Sequence, residues 1–334
     1  MVELGRHIEE ARNLPYVKAG IDLKGRSIFL LPFYDTDVNE WFAFFETEPG
    51  RFQRVALVDI DRGAYLASVA LDEACDLCLP LHDLVFQRMS FPKMGNPIMG
   101  LEDAVENACS VLEFYRIVSE LYAEGHPGAS QLAQSLVSQL FVVSRSLYDS
   151  LQMVCRVIAT YFRRLDDTSK PLMKKLPTSF AEVALRHAEP RTADEISTRY
   201  DMPPPLAKLY GIQAPFLASV KRIRDKVIHR GHHVGFALNL DEGLAVRTTD
   251  PPWDTFDIWE GAVLGENQLG SLRRLFAHVL LQSLAATTRF AEAVFSCIAL
   301  PEPVSPGNHI YLRSPLNHYI MELEQAFDSP WERV

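Results

Sequence analysis

Residues 130–165 read SQLAQSLVSQLFVVSRSLYDSLQMVCRVIATYFRRL, and the period of this stretch decides the fold class. Leu136, Leu140, Val143, Leu147, Leu151, Val154 and Ile158 recur at steps of three and four residues, the spacing that stacks side chains on one face of a helix. Apolar residues flank that stripe as well, which places the helix at the centre of the fold rather than at its edge. One polar line interrupts the apolar rod: Arg145, Asp149, Gln152 and Arg156, at steps of four, three and four. It can line a cleft, or it can be a solvent face whose Arg145–Asp149 pair is worth only ~0.3–0.5 kcal/mol.

Outward from this helix the pattern stays helical. Glu102–Glu124 is a second amphipathic segment, stopped by Gly125-His126-Pro127-Gly128. Asp166–Pro205 is a polar, proline-bearing connector with one short helix starting near Ser179. A third helix runs from about Leu206 or Pro215 to Arg230, where Gly231 is suited to the C-terminal cap. Phe236–Leu240 and Leu244–Thr248 flank Asp241-Glu242-Gly243 as a hairpin. A fourth long helix covers Asn267 to about Ile298, because Pro301 and Pro303 prevent its continuation. Leu316–Phe327 is a last helical patch.

The N-terminal side is different. Residues 1–17 read as a short amphipathic helix and residues 18–72 as β-rich, with strands at Gly25–Leu31 and Glu40–Glu46. Phe52–Ile60 and Ala64–Leu71 are expected to pair across Asp61-Arg62-Gly63. The organisation expected is a β-rich region over residues 1–99, a helical region over 100–300 and a C-terminal tail with a short helix over 301–334. The fold class is therefore mainly α: a bundle of four or more helices with a small N-terminal antiparallel β-rich region and a hairpin insertion.

Composition limits the function classes. With 48% hydrophobic residues the chain can bury a large core, which excludes wholesale disorder. No apolar run approaches the ~20 residues that span a bilayer, and the first residues lack the apolar run of a secretion signal. A cytoplasmic protein without membrane contact is expected. The net charge of −10 supplies no global field for nucleic acid. Five cysteines, at 75, 78, 109, 155 and 297, fit a reducing compartment better than a disulfide framework.

Against that acidic background, Lys221-Arg222-Ile223-Arg224-Asp225-Lys226-Val227-Ile228-His229-Arg230 crowds cations into a few helical turns. Such a group can bind phosphate. Asp225 and His229 are one turn apart on one helix face, with Arg222 on the same face. Asp225 and the helix C-terminus both favour a charged imidazole, which suits acid–base work near neutral pH. Arg224 lies ~140° around a straight helix from His229. Joint action of the two requires the helix to end near His229, the arginine to reach round, or a second subunit. A basic last turn also arises simply because it complements the helix dipole.

The stretch Arg224-Asp225-Lys226-Val227-Ile228-His229 resembles the arginine–polar–x–x–x–histidine motif of the HEPN superfamily (higher eukaryote and prokaryote nucleotide-binding domains). The order of helices resembles it too, with two long helices before the motif and another after it. The resemblance covers roughly residues 100–300. It implies a metal-independent endoribonuclease, dimeric, with the two motifs in one cleft. Arg224 would hold the scissile phosphate and His229 would act as general acid or base, with Asp225, Arg222 and Asp149 in support. The implied partners are RNA or a nucleotide, a second copy of the chain and a neutralising protein. No cofactor and no metal are implied. Members that bind without cutting give the alternative of a non-catalytic interaction or ligand-binding module, and a purely structural helical protein is the third reading.

Other signals are weaker. Cys75, Cys78 and His82 have ligand-like spacing, but a structural zinc needs four ligands and no second pair exists. His232 and His233 lack neighbouring cysteines or a carboxylate cluster. Gly95–Gly100 lacks the Lys and Ser/Thr of a phosphate loop, and no Gly-x-Ser-x-Gly is present.

Overall fold

The computed structural model describes residues 32–48, 51–57, 63–68, 79–89, 91–229, 238–240, 243–259, 263–264, 268–303, 305–329 and 331. The helix expected over 1–17, the strand at Gly25–Leu31, Cys75, Cys78, Gly231, His232 and His233 lie outside these residues.

The chain is mainly helical, with a small mixed sheet built largely from its N-terminal side. Strands β1 (Phe33–Asp35), β2 (Glu40–Glu48), β3 (Arg51–Leu57) and β4 (Gly63–Ala67) precede a short helix α1 (Leu79–His82), which runs on into a π-turn at Asp83–Gln87. Two long helices follow, α2 (Phe91–Ala123) and α3 (Ala129–Tyr161). The connector holds α4 (Phe180–Ala184), the two-residue strands β5 (Leu185–Arg186) and β6 (Glu189–Pro190), and α5 (Ala193–Tyr200). Then come α6 (Pro204–His229), β7 (Leu238–Leu240), β8 (Gly243–Arg247), β9 (Val263–Leu264), β10 (Leu269–Ser271) and α7 (Leu272–Cys297). Strand β11 (His309–Arg313) and α8 (His318–Asp328) complete the order.

Helix α3 is central, as its period predicts. Every residue of its apolar stripe is buried, Leu140, Leu147, Leu151, Val154 and Ile158 completely. It packs against α2, α6 and α7. Two apolar clusters share its length: one joins its second half to α4, α5, α6 and the end of α7, the other its first half to β8, Trp253 and the start of α7. Helix α2 begins eleven residues before the expected Glu102, and Pro97 lies inside it. Met94, Ile98, Leu101 and Val105 keep helical spacing and are all buried, so burial outweighs the hydrogen bond that proline removes.

The N-terminal sheet corrects two expectations. It is mixed rather than antiparallel, in the order β11-β4-β1-β2-β3, with β4 parallel to β1 through Phe33 opposite Leu66. Strands β3 and β4 do not pair across residues 61–63. Strand β3 pairs with β2, and β4 lies between β1 and β11. The cause is burial. Tyr65, Leu66 and Ala67 are at most 5% exposed, and Tyr65 stacks on Tyr311 at 5.4 Å and meets Trp41 edge-on at 4.7 Å. The apolar strand therefore takes an interior position, while the arginine-bearing β3 takes the edge. Strand β11 comes from the C-terminal tail, which contributes to this sheet as well as carrying α8. The hairpin expected around Asp241-Glu242-Gly243 is β7–β8, extended by β10 and β9 into a four-stranded sheet leading into α7. No helix among the described residues is long and apolar enough to cross a membrane.

Candidate functional site

The connector folds back over α3 and α6 and closes one side of a cleft of about 910 Å³. Its position follows from local rules. Asp149 on α3 accepts a hydrogen bond from the Phe180 N–H at 3.0 Å, the first free amide of α4, which the Ser179 side chain does not cap. The other carboxylate oxygen accepts from Arg145 Nε at 2.9 Å, and the Arg145 fork also reaches the Ser179 hydroxyl. Asp149 thus pins α4 to α3 and aims Arg145 into the cleft. Helix α5 starts at a capping box: the Glu195 N–H donates to Thr192 Oγ1 at 3.2 Å and the Thr192 N–H donates to Glu195 Oε2 at 2.8 Å. The Thr192 N–H and hydroxyl, both donated to the carboxylate, and after them the nearby Arg186 and Arg191 charges hold the Glu195 carboxyl below its ordinary value.

Six cationic side chains line the cleft, Arg145, Arg186, Arg191, Arg199, Lys221 and Arg224, together with His187, against the single carboxylate of Glu182. They arrive from α3, β5, the link between β6 and α5, α5 and α6. Arg191 is fixed by donating Nη1 to the carbonyls of Glu182 and Val183 at 2.7 and 2.8 Å, and it forms no ion pair among the described residues. Arg199 rides over the Tyr200 ring at 5.6 Å. Lys221 and Arg224 are three residues apart on α6 and so share a face. Arg224 has Asp225 beside it, Nη2 to Oδ1 3.6 Å, and its Nε is buried with no hydrogen-bond partner among the described residues. Arg186, Arg199 and Lys221 form no ion pair among the described residues, although Glu189 is the cross-strand neighbour of Arg186.

The residues singled out in the sequence separate here. Arg224 is in the cleft wall and Arg145 is brought to it. Asp149 acts through Arg145. Asp225 lies against Arg224, its side chain 42% exposed. Arg222 is exposed and is not among the lining residues. His229 is the last helical residue of α6, and its side chain lies outside the described residues. Because α6 stays helical through His229, Arg224 and His229 are separated by ~140° of rotation and ~7.5 Å of rise. The polar line on α3 also divides. Gln152 is fully buried and bonded to Tyr210 and Pro177, while Arg156 lines a separate pocket with Met153.

The sequence reading missed Arg186, His187, Arg191 and Arg199. The signal was present: basic residues at 186, 191 and 199 around a Thr192-x-x-Glu195 capping box, inside a connector read only as polar. A second cavity of about 380 Å³ between α2, α7 and α8 is a useful contrast. Its Arg116 is neutralised by Glu113 at 2.8 Å and Glu120 at 2.5 Å, and hydrogen bonds from Arg116 and then Tyr319 hold the Glu113 carboxyl down to about 2. Among the described residues no group of three or more His, Cys, Asp or Glu is placed to hold a metal ion.

Compared with protein-family models, curated proteins and solved structures, the chain matches none.

Proposed function

We propose that this protein acts on RNA or a nucleotide as a HEPN-type, metal-independent endoribonuclease, with Arg224 holding the scissile phosphate and His229 serving as general acid and base. One observation carries the reading: Arg224 opens onto a cleft where six cations face one carboxylate, in a chain of net charge −10. Guanidinium forks match phosphate oxygens in pairs. They also stabilise the charge that grows on a phosphorane as a 2′-hydroxyl attacks it. An imidazole that takes the 2′-proton and returns one to the leaving 5′-oxygen completes the exchange, and the need for a 2′-hydroxyl confines it to RNA.

The rotation between Arg224 and His229 favours a site completed across two copies of the chain. It equally favours a second reading, a HEPN-type module that binds the anion without cutting. Incubation of the protein with labelled RNA in excess EDTA decides between them. The nuclease reading expects products ending in 2′,3′-cyclic phosphate, a rate lowered about 10²–10⁴-fold by His229→Ala, and a dimer in sedimentation. Uncut RNA across single-stranded and structured substrates, from a folded dimer that binds them, selects the binding module.

A further inference from the structure

We propose that the cleft is built for a compact chain of phosphates, and that the connector hairpin supplies the residues that select it. The inference rests on the phosphate-binding half of the reading above and not on its catalytic half. It names the chemical class of the ligand: a linear oligophosphate, as found on a nucleoside triphosphate, on the 5′ end of a triphosphorylated RNA, or free.

Three observations converge. The cations come from separate elements, Lys221 and Arg224 from α6 and Arg186 and Arg199 from the connector. Donors from several elements suit an anion that presents oxygens in several directions at once. Next, the charge inside the cleft is concentrated. Arg186, Arg199 and Lys221 form no ion pair among the described residues, yet the chain as a whole is acidic. An extended strand would carry most of its charge outside the cleft, where a chain of net charge −10 supplies no general field to hold it. A short chain carrying several negative charges keeps them all inside. Last, the connector wall is held rigidly. Arg191 fastens β6 to the end of α4 and the capping box fixes α5, so the backbone that carries Arg186 and Arg199 is set before a ligand arrives. A preorganised backbone loses less entropy on binding.

The hairpin itself contributes His187. His187 and Ala188 have φ of 51° and 74°, the left-handed pair that closes a two-residue β-turn. The turn sets His187 in the cleft lining beside Arg186.

The test is calorimetric titration of the full chain in EDTA with inorganic tripolyphosphate, orthophosphate, a nucleoside triphosphate, and one RNA oligonucleotide carrying either a 5′-triphosphate or a 5′-hydroxyl. Tripolyphosphate is expected to bind one per chain, at least tenfold more tightly than orthophosphate. The Arg186→Ala/Arg199→Ala double variant is expected to lose tenfold or more with its thermal transition unchanged, and Lys208→Ala, an exposed cation elsewhere on α6, is expected to bind as the parent does. A gain from the nucleoside assigns the ligand to nucleotides, and a preference for the 5′-triphosphate RNA assigns it to RNA ends. The proposal is overturned if the 5′-hydroxyl RNA binds as tightly as its triphosphate form and tripolyphosphate does not displace it. A folded double variant that binds like the parent also overturns it. Tripolyphosphate binding without any RNA cleavage would sink only the nuclease reading. Cleavage without tripolyphosphate binding would sink only this one.

Discussion

Helices α3 and α6 each face two ways, and the two faces treat polar groups oppositely. Toward the interior, the Tyr148 hydroxyl donates to Gln213 Oε1 at 2.8 Å, the Tyr210 hydroxyl donates to Gln152 Oε1 at 2.5 Å, and Gln152 Nε2 donates to the Pro177 carbonyl at 2.8 Å. Ser144 on α3 bonds Ser283 on α7 at 2.7 Å. All of these side chains are at most 1% exposed, and burial pushes both phenols well above their ordinary pKa, so they act as neutral donors. The Gln213 amide nitrogen is an exception, with no partner among the described residues. Toward the cleft, the same helices present Arg145, Lys221 and Arg224. Buried polar groups that close on one another specify a packed structure. Arg145 and Arg224 have Asp149 and Asp225 beside them, and Lys221, with no ion pair among the described residues, leaves its charge for a ligand. The contrast predicts that substitutions on one face change activity at constant stability, and on the other face change stability.

The largest effect belongs to the cleft. On the proposed nuclease reading, Arg224→Ala should slow RNA cleavage about 10²–10³-fold, the usual loss when one group stabilising a transition-state charge is removed. Its unfolding free energy should stay within about 0.5 kcal/mol of the parent. A denaturation midpoint that falls together with the rate would break the comparison, because it would make Arg224 part of the scaffold.

On the interior side the sharpest probe is His278, on α7. It lies among the rings of Phe216, Phe256 and Phe327 at 5.6–5.9 Å, and its pKa is lowered to about 4, first by desolvation and then by the Arg274 charge. The folded chain therefore keeps the imidazole neutral where the unfolded chain, titrating near its ordinary 6.5, takes up a proton. Stability is full above pH ~6.5, falls as the pH drops toward ~4, and levels off below that. Allowing for partial exposure, the loss from this residue is about 2 kcal/mol. Denaturant unfolding of the parent and of His278→Phe at pH 7 and pH 4.5 measures it: the parent should lose about that much more than the variant. Equal losses would show that the interior face tolerates charge as the cleft does.

Gln152→Leu comes next. Its volume is close to that of glutamine, so the change removes hydrogen bonds more than packing. The Tyr210 hydroxyl and the Pro177 carbonyl are left without their partner, at a cost of roughly 1–3 kcal/mol. Thermal unfolding should show a lower midpoint, with tripolyphosphate affinity per folded molecule unchanged. An affinity loss without a stability loss would mean that the interior network positions the cleft.

The same contrast explains what the sequence made legible. The period of α3 is a one-dimensional signal, and its seven apolar positions are all buried. The start of α3, the hairpin at β7–β8 and the start of α4 near Ser179 could be read because Gly, Pro and turn residues mark them locally, whereas α3 ends at Tyr161, four residues before the expected Leu165, where no Gly or Pro marks the stop. The sheet order could not. Nothing within residues 51–67 says that β4 will leave β3 to stand between β1 and a strand from residue 309 onward, since that choice depends on the distant Tyr311. The candidate site divides in the same way. Arg224 stands in a dense run of cations and was visible there, whereas Arg186 and Arg199 are thirteen residues apart in sequence. Only the α4–β5–β6–α5 fold brings them to one wall. The geometry that separates Arg224 from His229 was legible from helix period alone.

The smallest effect is at the turn that carries His187. Ala188 has φ of 74°, and an alanine there lacks both the freedom of glycine and the side-chain hydrogen bond that lets asparagine accept the conformation. Relief of roughly 1 kcal/mol is partly offset because glycine adds entropy to the unfolded chain. Ala188→Gly should thus stabilise by a few tenths of a kcal/mol, and Ala188→Val, β-branched at a left-handed position, should destabilise by more than that. Both variants keep every cation. If the hairpin grips a phosphate chain through a preset turn, the valine variant should weaken tripolyphosphate binding several-fold, while the glycine variant stays within about twofold of the parent. A valine variant that loses stability but binds unchanged would show that the hairpin closes the cleft without gripping the ligand, leaving α6 as the wall that holds it.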